Sequence, residues 1–126
     1  MFTDLVGSTA QRQRLGELRA DELRAAVDDI QIEVVTTNSG TLVKHTGDGV
    51  MATFGSVTAA LGCAAGIQIE LARLNETLDE PMLLRVGVGA GEVTSDAGDF
   101  FGCIGGQRHQ WEHAHALEHN ERILRR

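Results

Sequence analysis

Gly47-Asp48-Gly49 parts two short runs of strand-forming residues, Thr41 to Thr46 and Val50 to Phe54. An Asp-Gly step between such runs is a hairpin signal, so the two should pair antiparallel. Long helical patterns stand on both sides of this hairpin. From about Glu17 to Asn38, the apolar residues Leu23, Val27, Ile30 and Val34 recur at helical spacing with charges between them. Asn38-Ser39-Gly40 is the stop signal. Ser56 can cap a further helix from about Val57 to Leu78, with Val57, Leu61, Ala64, Gln68, Leu71 and Leu74 marking its inner face. Gly62 and Gly66 lower its helix propensity, which fits close packing on a sheet.

The flanks complete the order. Phe2 to Val6 reads as the remnant of a strand, and Ser8 and Thr9 as N-caps of a short helix ending near Gly16. Pro81 precedes an apolar strand from Met82 to Val93. The succession β-α-α-β-β-α-β, with a hairpin between helices that return to one sheet, predicts an α/β (α+β) sandwich of the split-βαβ type. The motif begins almost at Met1, so the fold is expected to be incomplete there. After Gly106 the composition changes, and four of the five histidines lie between His109 and His119. Residues 106–126 are therefore expected to be a divergent His-rich tail, possible as a helix or as disordered chain. His109/His113 and His115/His119 would share helical faces at i, i+4 spacing, where Zn²⁺ or Ni²⁺ could bind; a solvated tail is the simpler reading.

Composition limits the function classes. A net charge of −7 excludes a broad nucleic-acid surface but leaves nucleotide binding open, because a metal ion can supply local positive charge. Cys63 and Cys103 show no metal-ligand spacing and read as reduced and buried, which suits a cytoplasmic protein. No apolar run looks long enough to span a membrane.

The chemistry gathers around two carboxylates. Asp4 follows the strand remnant and Asp48 sits at the hairpin tip. Either alone is accounted for by a turn. Together, and beside Gly7-Ser8-Thr9, they point to paired Mg²⁺ or Mn²⁺ ions, which in phosphoryl-type transfer sit roughly 3.5–4 Å apart between bridging carboxylates. The turn Val6 to Thr9 offers backbone amides at a helix N-terminus, a setting that favours phosphate. Lys44 reads equally as a solvated edge residue or as a substrate contact. Gly98-Asp99-Phe100-Phe101-Gly102 reads by itself as an Asx-type turn.

Four segments in order, Phe-Thr-Asp-Leu-Val-Gly-Ser-Thr, Val-Lys-His-Thr-Gly-Asp-Gly, Leu-Arg-Val-Gly-Val-Gly-Ala-Gly-Glu-Val and Gly-Asp-Phe-Phe-Gly, resemble the class III adenylate/guanylate cyclase catalytic domain. The resemblance covers residues 1–105, which would form a partial cyclase domain. It implies a ferredoxin-like βαββαβ core, incomplete at both ends, acting as a head-to-tail homodimer with shared sites. It implies that Asp4, Asp48 and the Leu5 carbonyl hold two metal ions, and that the amides of Val6, Gly7, Ser8 and Thr9 hold phosphates. Lys44 and Asp99, from the opposite subunit, would read the base. Adenine offers an acceptor at N1 and a donor at N6, which suits a Lys donor and an Asp acceptor, so ATP is the expected substrate.

The family's next helix carries an Asn and, four residues on, an Arg. Gly106 and Gln110 stand in that register, with Arg108 out of step. Loss of such a charged contact lowers rate by orders of magnitude. The expectation is a cyclase making cyclic AMP and pyrophosphate with impaired turnover. The alternative is an inactive nucleotide-binding or dimerisation module derived from one. A polymerase or diguanylate cyclase palm domain is more distant, since the Lys44/Asp99 pair and the Val-Gly-Ser-Thr turn disfavour it.

Overall fold

The computed structural model describes residues 1–96, 99–104 and 107–110. The chain divides into two compact units, Met1–Val88 and Gly89–Arg126. The first holds β1 (Phe2–Leu5), α1 (Ser8–Leu15), α2 (Glu17–Thr37), β2 (Thr41–His45), β3 (Val50–Thr53), α3 (Val57–Asn75) and β4 (Leu84–Gly87). Its sheet has the order β2-β3-β1-β4, with every neighbour antiparallel. Once the helices are counted as crossovers, this is the ferredoxin-like βαββαβ arrangement. The second unit holds β5 (Glu92–Asp96), β6 (Asp99–Ile104) and β7 (Gln107–Gln110) as an antiparallel sheet in that order.

The short run at the start of the chain takes a central place. β1 lies between β3 and β4, and all four of its residues are buried. Main-chain bonding extends to Met1, whose carbonyl accepts from the Ala52 amide at 3.0 Å. On α2 the buried line is Ala20, Leu23, Val27, Gln31 and Val35. Leu23 and Val27 lie on it as the periodicity predicts. Ile30 and Val34 sit at its margin, and the polar Gln31 takes the central position.

α3 departs further from expectation. Ser56 caps it as predicted, accepting from the Ala59 amide at 3.1 Å. Its buried line is Ala60, Cys63, Ile67 and Leu71, whereas Val57 and Leu61 are exposed. The helix is apolar on several faces, so periodicity alone does not choose between them. The two glycines decide. A Cβ on Gly66 would lie 2.9 Å from Val34 Cγ1, and one on Gly62 would lie 3.1 Å from Asn38 Oδ1. They admit α2, not the sheet, to close contact. Burial also pushes the Cys63 thiol up, which suits an inert reduced cysteine. By length and composition α3 is apolar enough to cross a membrane, against the reading above. Here its buried side chains belong to the same cluster as Leu5, Val27, Val35 and Leu84.

Two further expectations change. The apolar run from Met82 to Val93 is split, β4 belonging to the first unit and β5 to the second, with Gly89 and Gly91 in the stretch between them. Gln107–Gln110, expected as the start of a helix or a loose tail, is a strand paired with β6 in the register Phe101↔Gln110. His109 therefore lies in a strand, while Gly106, His113, His115 and His119 lie outside the described residues.

Candidate functional site

The hairpin tip is fastened to the end of β1 by its main chain. The Leu5 amide donates to the Asp48 carbonyl at 2.8 Å, and the Thr46 amide donates to Gly49 at 2.9 Å. Gly47 has φ 89°, which a side chain would resist. Gly49 answers a different need. A Cβ there would lie 2.0 Å from the Thr3 carbonyl oxygen, so only glycine lets the hairpin approach β1. The turn chemistry and the placement of Asp48 beside Asp4 are thus one feature.

Below this junction lies a buried polar connection that the sequence reading did not single out. Thr3 Oγ1 accepts from the Val50 amide at 2.8 Å and donates to Gln31 Oε1. Gln31 Nε2 in turn donates to Asp28 Oδ1 at 3.3 Å. These bonds join the residue before Asp4, the strand after Asp48 and α2. Asp28 has its pKa raised, chiefly by burial and further by Asp29 and Asp48, with His45 and Arg24 opposing.

Each predicted residue has a definite place. Asp4 is buried on β1 and paired in register with Arg85 of β4, whose guanidinium Nη2 donates to Asp4 Oδ2. Asp48 is half-buried, and its Oδ2 accepts from the Ser8 hydroxyl at 2.7 Å. Ser8 is not the N-cap: Gly7 holds that position with φ 68°, and no side chain caps α1. The first helical bond runs from the Gln11 amide to the Gly7 carbonyl. The amides of Ser8 and Thr9 thus lie in the opening turn, where helical donors lack carbonyl partners within the helix. The Val6 amide is engaged in the sheet, donating to the Leu83 carbonyl at 2.8 Å.

Lys44 is exposed on β2, an edge strand, just after a β-bulge that resets the register between Leu42 and Lys44. Bulges of this kind re-aim side chains. Asp99 opens β6 in the other unit, and the structure describes its backbone alone. The structure therefore brings Asp4, Leu5, Asp48, Gly7, Ser8 and Thr9 together in one unit and assigns Lys44 and Asp99 to different ones.

A cleft of about 130 Å³ opens between these elements, lined by Leu5, Ser8, Thr9, Arg12, Arg24 and Asp48 among others. Arg12 and Arg24 are additions to the predicted set. Arg12 pairs with Asp21 at 2.7 Å, and Arg24 Nη1 donates to the Gly47 carbonyl at 3.5 Å. Among the described residues no cluster of three or more His, Cys, Asp or Glu is poised to hold a metal. Two carboxylates and a carbonyl would suit a Mg²⁺ or Mn²⁺ ion that arrives with polyphosphate, since such ions take one or two carboxylates plus phosphate oxygens.

No protein-family model matches the chain. A putative adenylate cyclase 3 of Rhizobium meliloti is 35% identical over 104 residues, 81% of this chain and 18% of that protein. An adenylate cyclase of Streptomyces coelicolor is 36% identical over 101 residues, 80% of this chain and 26% of that protein. The chain thus spans 18% and 26% of the length of these two curated relatives. The crystal structure of the guanylyl cyclase Cya2 superposes with a TM-score of 0.67 at 22% identity, over 97% of this chain and 66% of that one. In sequence and in fold, the chain is similar to the catalytic domains of bacterial adenylate and guanylate cyclases, which bears out the class III cyclase resemblance read from its motifs.

Proposed function

We propose that this domain binds ATP with Mg²⁺ or Mn²⁺ and is built for conversion of ATP to cyclic AMP and pyrophosphate, drawing on the cytoplasmic nucleotide pool. The observation that supports this reading is the main-chain bond from Leu5 to Asp48, which fastens the hairpin tip carrying Asp48 to the end of the strand carrying Asp4. Two divalent ions held by Asp4, Asp48 and the Leu5 carbonyl would activate the ribose 3′-hydroxyl and neutralise the leaving pyrophosphate. The amides of Gly7, Ser8 and Thr9 hold phosphate oxygens and orient the α-phosphorus for in-line attack. Lys44 donates to adenine N1, and Asp99 accepts from N6. We assign both to the subunit opposite the metal-holding one, in a homodimer with shared sites, as the cyclase resemblance implies.

A second reading, a nucleotide-binding or dimerisation module without turnover, is favoured by one observation. Gln110, in the register of the family's charged helix residue, lies on strand β7. We place this chain between the two readings, with nucleotide bound and turnover impaired. The test is a cyclic AMP assay with Mn²⁺ at high protein concentration, with Asp48→Ala as control. Trace product lost in the control supports impaired catalysis. Robust turnover abolished by the control would show that another residue replaces the missing Arg. Product equal in both proteins would remove the catalytic reading.

A further inference from the structure

Asp4 and Arg85 face each other across the β1–β4 pair, and the guanidinium of Arg85 donates to Asp4 Oδ2. The two side chains differ in exposure: 12% for Asp4 and 52% for Arg85. A carboxylate so far removed from water needs a neutralising partner, and here the strand register supplies one. The same carboxylate belongs to the set assigned above to a divalent ion. A guanidinium and a divalent cation repel each other, so the two compete for its negative charge.

We propose that Arg85 is the resident counter-ion of Asp4, occupying its carboxylate when no metal is bound and leaving Oδ2 when one binds. The inference rests on the metal role given to Asp4 in the preceding section. Geometry supplies the exit as well as the contact. The Arg85 side chain is half in solvent, so its head can swing out on a flexible stem while β4 keeps its register. Metal affinity is then lowered by the fraction of time Arg85 spends on Asp4, as for any ligand whose site is open only part of the time. The arrangement protects the fold from a bare buried charge and makes divalent-ion binding competitive.

The test is Mn²⁺ binding to the full chain without nucleotide, followed by the free-ion electron paramagnetic resonance signal. Arg85→Gln removes the competing charge and keeps a hydrogen-bonding side chain. It should tighten Mn²⁺ binding by about two- to fivefold, the range expected for freeing a partly exposed ion pair. Adding Asp4→Asn to that variant should abolish the gain. A merely structural Arg85 would give the opposite sign, because its loss would loosen the site. Equal or weaker Mn²⁺ binding by Arg85→Gln, with clear binding by the unmodified chain, overturns this inference and leaves the metal role of Asp4 standing. No binding by either protein overturns both. A measurement on the unmodified chain covers the case in which the variant fails to fold. The Arg85 Nε–H resonance should move to solvent-exchanging behaviour as Mg²⁺ saturates the site, and an unchanged signal at saturation overturns the inference.

Discussion

The hydroxyl of Thr3 donates to the side-chain oxygen of Gln31 where neither residue meets solvent, at 2% and 0% exposure. The same hydroxyl accepts from the Val50 amide at 2.8 Å. One oxygen therefore joins β1, β3 and α2 immediately beneath the proposed site. Thr3→Val keeps the shape and strands both the amide and Gln31, which should cost about 1–3 kcal/mol in urea denaturation. Thr3→Ser retains the oxygen and should recover more than half of that loss. Equal losses for the two variants would show that the methyl group, not the hydroxyl, matters here.

Gly49→Ala should destabilise the fold by about 1–3 kcal/mol, the usual range for overpacking. Its new Cβ would meet backbone, the Thr3 carbonyl at 2.0 Å, and backbone cannot rotate away. Gly55→Ala is the control, since a Cβ there meets nothing within 4 Å. It should change stability by no more than about 0.5 kcal/mol.

The proposed base-reading role of Lys44 and Asp99 predicts a base preference. Calorimetry with Mn²⁺ should show ATP binding about tenfold or more tighter than GTP, since the wrong base leaves polar groups unpaired. Lys44→Glu combined with Asp99→Cys should erase most of that preference while affinity for the triphosphate persists. Equal affinity for ATP and GTP in the unmodified chain rules the assignment out.

Asp28 predicts a pH dependence. Burial is the main cause of its raised pKa, with Asp29 and Asp48 adding and His45 and Arg24 opposing. The folded state therefore holds this proton more tightly than the unfolded chain. Its contribution to stability is full below the ordinary carboxylate pKa and is lost as pH rises through the raised one. Asp28→Asn should flatten that part of the stability curve and make the protein more stable at neutral pH. The check is urea denaturation from pH 3.5 to 7, roughly the window around a carboxylate titration. A curve that keeps its full slope in the variant would assign the effect to another group.

Element positions were legible wherever local signals were strong. Asn38-Ser39-Gly40 ends α2 close to its observed limit at Thr37, and Ser56 starts α3 as its cap. The hairpin was readable from Gly47-Asp48-Gly49 alone. The inward face of α3 was not, because Val57 and Leu61 are as apolar as the Ile67 and Leu71 that are buried. Gln31 was hidden by its type: polarity argues for the surface, and its burial is explained by the hydroxyl of Thr3 across the core together with Asp28 one turn back. Arg85 was in view within Leu-Arg-Val-Gly, a lone charge in an apolar strand. Its partner could be found only through the strand register, which local pattern does not encode.

Asp48 is held in place by its peptide group. Its carbonyl bonds to the Leu5 amide, and Gly49 closes the turn on Thr46, so neither contact uses the carboxylate. Shape and reactivity are therefore separable at this position. A domain built this way can lose the Asp48 carboxylate, and with it the Ser8 contact, and still keep the hairpin fastened to β1. Conversion from enzyme to scaffold is a short step for such a molecule, and restoration of the carboxylate would be just as short.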